Sequence, residues 1–429
     1  MSGYADLVLN DRVHSDIFTN AEIFEAEMER IFHRWWIYVG HVSEVPEPGD
    51  YALKSIGRQS VIMTRDADGQ VRLLLNRCRH RGNAVCNQIS GNSSFFRCQY
   101  HGWTYSNRGD LVGLPIPSSY QKPLDKKALG LTPVPSFGEY RGFVFGCLAE
   151  SPPGPLLDYL GKAAEFINNF VNASPQGEVE LKAGRSRGFY RGNWKFVGMD
   201  GYHPAFTHRS INDLVSRKAA LTGKEAFLHS VYSDRSPNRT VDLGNGHVRL
   251  DLYPAKEAVL DSLVEDRAGS PSGEKYLALM EEAYGERVND VLLYSGDPHL
   301  GLWPNLQLIG PQVRVVQPVA AEMTEVITYP ALLKGVPDEI NESRIRQQEY
   351  FGGPAGFGTS DDYEMFERNQ VGLSARVNPW LLLSRGLHTE TTDDDGFLVA
   401  NVTDEVTQRG QLRQWLAAMD HGALAAAPA

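Results

Sequence analysis

CRHRGNAVCNQISGNSSFFRCQYHGWTY, residues 78–105, gathers most of the metal-ligand chemistry of the chain into one stretch. Cys78 stands two positions before His80, and Cys98 three positions before His101, with seventeen residues between the two pairs. Thiolate and imidazole both bind soft to borderline metals. A single zinc ion could take all four side chains, although zinc knuckles space their first pair by two to four residues. A two-iron, two-sulfide cluster with two Cys on one iron and two His on the other asks for this set from two parallel loops. Cys86 and Cys147 lack a histidine at matching spacing and read as small buried hydrophobes.

The flanks of the two pairs narrow the reading. Arg81-Gly82 follows the first, and His101-Gly102-Trp103-Thr104-Tyr105 closes the second. These resemble the Rieske [2Fe–2S] domains of ring-hydroxylating oxygenases, in which the glycines let backbone approach the cluster. Histidine ligands set such a cluster above the potential of an all-cysteine plant-type one. The resemblance implies a centre fed with electrons from NAD(P)H by way of a carrier.

Outward from this stretch, short β-type segments alternate with turns: WIYVGHV, DYALKSI, QSVIMTR, QVRLLLNRC, FFRCQYHGWTYS and YRGFVFGCLAE. Asp66-Ala67-Asp68-Gly69 reads as a hairpin turn. Ser151 to Pro155, SPPGP, is a breaker cluster and marks a boundary. Residues 37–155 are expected to form a small antiparallel β domain, with 1–36 and 156–429 as a second, larger one. There, helices are expected at 20–35 with Asn20 as N-cap, and at 157–172, 274–290, 338–350 and 405–419. Strands are expected around 178–191 and 241–252, and between Leu302 and Tyr329. No strict βαβ alternation appears, so the class is α+β.

Composition bounds the function. The 429 residues are too many for one small core, and 42% hydrophobic with 22% charged is ordinary for a globular chain. A net charge of −11 with no basic cluster argues against a nucleic-acid partner. Met1 to Asp11 does not read as a secretory signal and no apolar run reaches bilayer length, so the cytoplasm is the expected compartment.

A second constellation lies in GNWKFVGMDGYHPAFTHRS, residues 192–210, which holds Asp200, His203 and His208. Mononuclear iron sites that activate O₂ use two His and one carboxylate and leave other positions open. His203 and His208 are about 140° apart on a straight helix, so they converge only if the segment bends. Pro204 supplies a break between them. Two histidines on an ordinary helix are the bland alternative. Downstream, GPAGFGTSDDYEMFERNQ (353–370) offers Asp361, Asp362 and Glu364 as a third ligand, with Asp361 alternatively an N-cap of the helix that follows.

Taken together, most of the chain resembles the α subunits of Rieske non-haem iron aromatic-ring oxygenases. The resemblance runs from VHSDIFTNAEIFEAEMERIFHRWWIYVGH to LSRGLHTE and TDEVTQRG, and points to the benzoate, salicylate, anthranilate and terephthalate branch. It implies a helix-grip catalytic domain, with an antiparallel sheet flanked by helices. It implies iron held by His203, His208 and Asp362, the second acid of its pair. Asp200 would bridge His203 to the cluster ligand His101 of a neighbouring subunit and fix the imidazole tautomer. That path requires an oligomer, α3 or α3β3, served by a reductase with or without a ferredoxin.

The sequence also departs from the family pattern. Many relatives carry a Glu-Asn pair between NWK and the bridging Asp, whereas only Phe196 to Met199 intervene here. Met199 is expected to take the place of a polar wall residue. HLGLWPNLQLIG matches the strand that lines the family's substrate channel. It offers His299, Trp303 and Asn305 as pocket or core residues, with Phe206, Phe351 and Phe357 as apolar wall. Arg191, Arg209 and Arg314 could each anchor a substrate carboxylate. The expected reaction is cis-dihydroxylation of a small aromatic acid with O₂. A monooxygenase or demethylase would use the same two centres, an electron carrier only the first, and a zinc-stabilised binding module neither.

Overall fold

The computed structural model describes residues 3–120, 124–200, 208–222, 234–295 and 298–424. The chain divides into two compact units, one contiguous (Phe32–Leu156) and one built from Met1–Ile31 with Leu157–Ala429. Among the described residues, no helix is long and apolar enough to cross a membrane.

The contiguous unit is antiparallel β. Its strands are Ile37–His41 (β1), Asp50–Ile56 (β2), Gln59–Arg65 (β3), Val71–Leu75 (β4), Ser90–Asn92 (β5), Phe95–Arg97 (β6), Thr104–Ser106 (β7), Leu111–Gly113 (β8), Ser136–Tyr140 (β9) and Phe143–Cys147 (β10). They pair as three sheets, β4-β3-β2-β5, β6-β7-β8 and β9-β10-β1. The β3–β4 turn forms where Asp66 Oδ1 accepts the N–H groups of Asp68 and Gln70, each at 2.9 Å. Leu74, Phe96, Trp103, Tyr105, Leu111 and Leu131 pack in one cluster with the thiols of Cys78 and Cys98. Each large apolar side chain buried there contributes about 1.5–3 kcal/mol, so the loops that carry the thiols are anchored on the core itself.

In the other unit the first helix, Ala21–Glu27 (α1), starts where Asn20 Oδ1 accepts from Glu22 N at 2.8 Å. It continues through a wider, π-type turn, Met28–Phe32, and stops short of the expected residue 35. The helix expected over 157–172 is two pieces, Leu156–Leu160 and Ala163–Val171 (α2), broken at Gly161. The strand expected at 241–252 is a hairpin, because Gly244-Asn245-Gly246 all take positive φ and turn the chain.

Nine strands among the described residues form one antiparallel sheet. They are Ser186–Tyr190 (β11), Arg239–Asp242 (β12), Val248–Asp251 (β13), Leu300–Leu302 (β14), Leu306–Ile309 (β15), Gln312–Ala320 (β16), Met323–Pro330 (β17), Thr391–Thr392 (β18) and Leu398–Asn401 (β19). Their order is β11-β17-β16-β15-β14-β13-β12-β19-β18. One rung of paired residues crosses it as Asp242, Val248, Gly301, Gln307, Arg314, Thr328 and Ser186. Directly paired residues share a face. On this face lie three helices, Lys195–Asp200 (α3), Phe357–Gly372 (α7) and Val406–Leu424 (α8); between the first two the longer helices are Arg209–Thr222 (α4), Pro271–Tyr284 (α5) and Asp338–Gly352 (α6). Gln307 bonds to Val197 of α3, Arg314 to Thr359 of α7, and Asp242 to Arg413 of α8. A Cβ on Gly188 of β11 would come within 2.6 Å of the Tyr363 ring, so glycine there lets α7 lie close on the sheet. The architecture is α+β, an antiparallel sheet gripped by helices.

Two candidate metal centres

Cys78 and Cys98 head two loops of the same hydrogen-bond design. In the first, Cys78 N donates to Asn83 O at 2.8 Å and Gly82 N to Cys78 O at 2.9 Å. In the second, Cys98 N donates to Trp103 O at 2.8 Å and Gly102 N to Cys98 O at 2.9 Å. Both glycines sit four residues after their cysteine at positive φ, 75° and 71°, which a side chain would strain. The two histidines hold different offsets within this common frame, which is why the spacings C-x-H and C-x-x-H converge on one geometry. His80 and His101 meet edge to face with ring centroids 4.7 Å apart, and Trp103 stacks on His80 at 5.0 Å.

The electrostatics favour ligands. Burial pushes the Cys98 thiol up, but hydrogen bonds from the backbone of Tyr100 and His101 and the contacts with Asn83 and Cys78 outweigh it, holding the thiol below its usual range. Burial, reinforced by the neighbouring His101 and Arg81, keeps His80 below the usual imidazole range and therefore neutral. His80 Nδ1 is buried and finds no hydrogen-bond partner among the described residues. Two buried thiols, a neutral imidazole with an orphaned nitrogen and a second imidazole against it fit a Cys₂His₂ two-iron cluster. Tyr105, unremarked beyond its place in the flank, supplies a further contact: its hydroxyl lies 3.2 Å from Cys78 Sγ.

The second group forms where the start of the helix Arg209–Thr222 (α4) meets α7. His208, Asp361 and Asp362 offer ligand atoms that all lie within 4.8 Å of one another. His208 Nδ1 is 2.5 Å from Asp361 Oδ2 and 3.7 Å from Asp362 Oδ1. Ser210 Oγ donates to the other oxygen of Asp361. Asp361 is thus held by both neighbours, whereas Asp362 Oδ1 is buried and has no hydrogen-bond partner among the described residues. Burial pushes the Asp362 carboxyl up to about 6, against the nearby charges of Arg314 and His208. A cation at the orphaned oxygen would offset that burial, so the donor set fits a divalent metal.

The remaining sequence candidates separate by placement. Asp361 is no N-cap, because α7 begins at Phe357 and puts it in the second turn. Glu364 faces solvent and pairs with Arg368 at 2.8 Å. The backbone of Asp200 ends α3; its side chain, with His203 and Phe206, lies outside the described residues. Met199 and Asn305 are buried, at 6% and 3% exposure. His299 is half-buried with φ +39°, a backbone conformation rare outside glycine. Phe351 is partly exposed and packs edge-on against Phe357. Of the three arginines, Arg209 is exposed and Arg191 lies at the surface. Arg314 is half-buried on the sheet rung, bonded to Thr359 one helical turn before Asp362.

Comparison with known proteins agrees with this geometry. A family model described as the Rieske [2Fe–2S] domain matches residues 35–137. The large subunit of anthranilate 1,2-dioxygenase from Acinetobacter baylyi is 33% identical, over 97% of this chain and 91% of its own. The large subunit of 2-halobenzoate 1,2-dioxygenase from Burkholderia cepacia is 34% identical, over 88% of this chain and 80% of its own. Among solved structures, a naphthalene 1,2-dioxygenase variant with phenanthrene bound superposes with a TM-score of 0.80 at 26% identity, over 96% of this chain and 95% of that one.

Proposed function

Because the chain belongs to the Rieske non-haem iron ring-hydroxylating oxygenases, as a large (α) subunit, we propose that it cis-dihydroxylates a small aromatic acid with O₂. Subunits of this family carry a [2Fe–2S] cluster and a mononuclear iron and draw on NAD(P)H through a reductase; when bound, the cluster relays electrons and the lone iron activates O₂. In this reading Cys78, His80, Cys98 and His101 hold the cluster. His203, His208 and Asp362 hold the lone iron, and Asp361 takes the N–H of His208 so that its other nitrogen faces the metal. Asp200 joins His203 to His101 of a neighbouring subunit, in an α3 or α3β3 assembly in the cytoplasm with a reductase, with or without a ferredoxin.

One observation carries the aromatic-acid part. Among the described residues Arg314 bonds only to neutral oxygens, Gln312 Oε1 at 2.6 Å and Thr359 Oγ1 at 3.4 Å, within one turn of Asp362. A half-buried guanidinium without a carboxylate hydrogen-bonded to it is suited to receive one from the substrate, in the planar, two-pronged geometry that arginine favours. Met199, Asn305 and His299 remain candidate wall residues.

The test is turnover by iron-replete enzyme with a family reductase, NADH and ¹⁸O₂ on a panel of aromatic acids and neutral arenes. The expected product is a dihydrodiol carboxylate carrying both labelled atoms. A single labelled atom would favour the monooxygenase alternative, and turnover of neutral arenes alone would end the acid reading. Asp362→Ala is expected to reduce iron from about three to about two atoms per chain and abolish oxygenation, while the Rieske spectrum stays.

A further inference from the structure

The nine-stranded sheet has a cavity on its other face. Asp242 and Val248 turn toward the helices, so the pairs beside them in β12 and β13, Val241 with Arg249 and Arg239 with Asp251, face the opposite way. There, between the sheet and α2, lies a cavity of about 400 Å³ to which neither metal centre contributes a residue. That volume suits a small molecule. On its floor Arg249 is 4% exposed. Its guanidinium is sandwiched between two rings, with Cζ 4.1 Å from the centroid of Phe166 and 4.5 Å from that of Tyr253. Arg249 Nη2 reaches Asp251 Oδ1, and Asp251 Oδ2 takes Arg239 Nη2 at 2.7 Å. Arg249 Nε, on the guanidinium edge it shares with Nη2, is buried and has no hydrogen-bond partner among the described residues. One carboxylate between two guanidiniums leaves the floor with a positive charge in excess and a costly unmade bond. The more exposed part of the wall has the opposite sign. Lys162 Nζ lies 3.1 Å from Glu165 and 3.5 Å from Asp395, and Glu257 and Asp393 line the cavity as well, so four carboxylates face one ammonium. Tyr294 and Phe397 add ring faces, which attract cations.

We propose that this cavity is a second binding site, remote from the oxygen chemistry, for a basic amino acid. Its carboxylate lies against Arg249 and Arg239, and its side-chain cation lies among the acids of the exposed wall. A simple anion would satisfy the floor but meet a wall whose five acids outnumber its three bases. A simple cation would satisfy the wall but leave the buried N–H of Arg249 without an acceptor. A molecule with one carboxylate and two amines answers both, and the stacked, ion-paired Arg249 is already fixed in place to receive it.

The experiment is calorimetric titration of the full-length, iron-replete enzyme with three probes. Lysine carries all three groups, norleucine lacks the side-chain ammonium, and 1,5-diaminopentane lacks the carboxylate. Lysine is expected to bind at least about tenfold more tightly than either of the others. Arg239→Gln, at the floor, should weaken lysine and norleucine and leave 1,5-diaminopentane unchanged. Glu257→Gln combined with Asp395→Asn, at the exposed wall, should weaken lysine and leave norleucine unchanged. Saturating benzoate should not displace lysine. No binding of lysine overturns the proposal, and so do equal affinities for the three probes. Displacement by benzoate overturns it too, since lysine would then occupy the aromatic pocket. If Arg239→Gln does not fold, the wild-type comparison and the wall variant decide, and a wall variant that binds lysine as wild type does overturns the proposal.

Discussion

At the scale of single residues, both candidate metal centres have side chains placed to orient the proposed ligands. Arg79 N donates to the Tyr105 oxygen at 3.0 Å, so the hydroxyl proton is directed at Cys78 Sγ. A donor on a cluster sulfur stabilises the more negative, reduced state and raises the potential. Tyr105→Phe should therefore lower the midpoint, by about 60 mV if the bond favours the reduced state by about 1.4 kcal/mol. A redox titration followed by circular dichroism would read the shift, and an unchanged or raised midpoint would refute it. Asp361 plays the matching part at the other centre. Asp361→Asn keeps the shape but removes the charge from His208 Nδ1, and iron affinity is expected to fall about 10–100-fold with the Rieske spectrum intact. Metal-competition titration checks this. The pair Asp361 and Asp362 also shows where sequence reading stops. Adjacent acids look alike in the chain, and what separates them is contact with His208 and Ser210, about 150 positions away. The Cys–His pairs were legible because each loop closes on itself within six residues.

At the scale of elements, the proposed bridging role of Asp200 asks that α3, which ends on it, be held still. It is pinned from beneath by Glu27 of α1. Glu27 Oε1 lies 2.5 Å from Lys195 Nζ and 2.6 Å from Trp415 Nε1, and its Oε2 takes Trp194 Nε1 at 2.8 Å. Glu27 and Lys195 are 0% and 3% exposed, so neither charge has water to fall back on. Removing one partner of a buried pair costs about 3–5 kcal/mol because the other charge is stranded. Glu27→Leu strands an ammonium and two indole N–H groups, whereas Lys195→Met leaves the carboxylate with two donors. The first should thus lower the melting temperature more than the second, and the reverse order would show that the tryptophans contribute nothing. None of this network was visible beforehand. Glu27 reads as one more polar residue in an amphipathic helix, and its partners come from two distant parts of the chain, Trp194-Lys195 and Trp415. The sheet was legible in kind, through its strand runs. Its rung Gly301–Gln307–Arg314 was not, because register is set by pairing across strands and not by pattern within one.

At the scale of the whole molecule, the β unit is an uninterrupted stretch whose two ends are tied to each other. Trp36 Nε1 donates to Gly154 O at 3.0 Å, and β1, the first strand of the unit, pairs in antiparallel fashion with β10, the last. Its core holds both cysteines of the candidate cluster loops together with Tyr105 and Trp103, all within 32–156. A segment with its own core, its own ligands and paired termini meets the requirements for folding alone. Residues 32–156, expressed separately and reconstituted with iron and sulfide, are expected to give a red-brown protein with about two irons per chain. Such a protein should show a Rieske EPR signal on reduction and no oxygenase activity. A colourless or unfolded product would mean that the core around Cys78 and Cys98 depends on the remainder of the chain. The division of labour argued above, electron entry in one unit and substrate chemistry in the other, would then have to be abandoned for a single cooperative body.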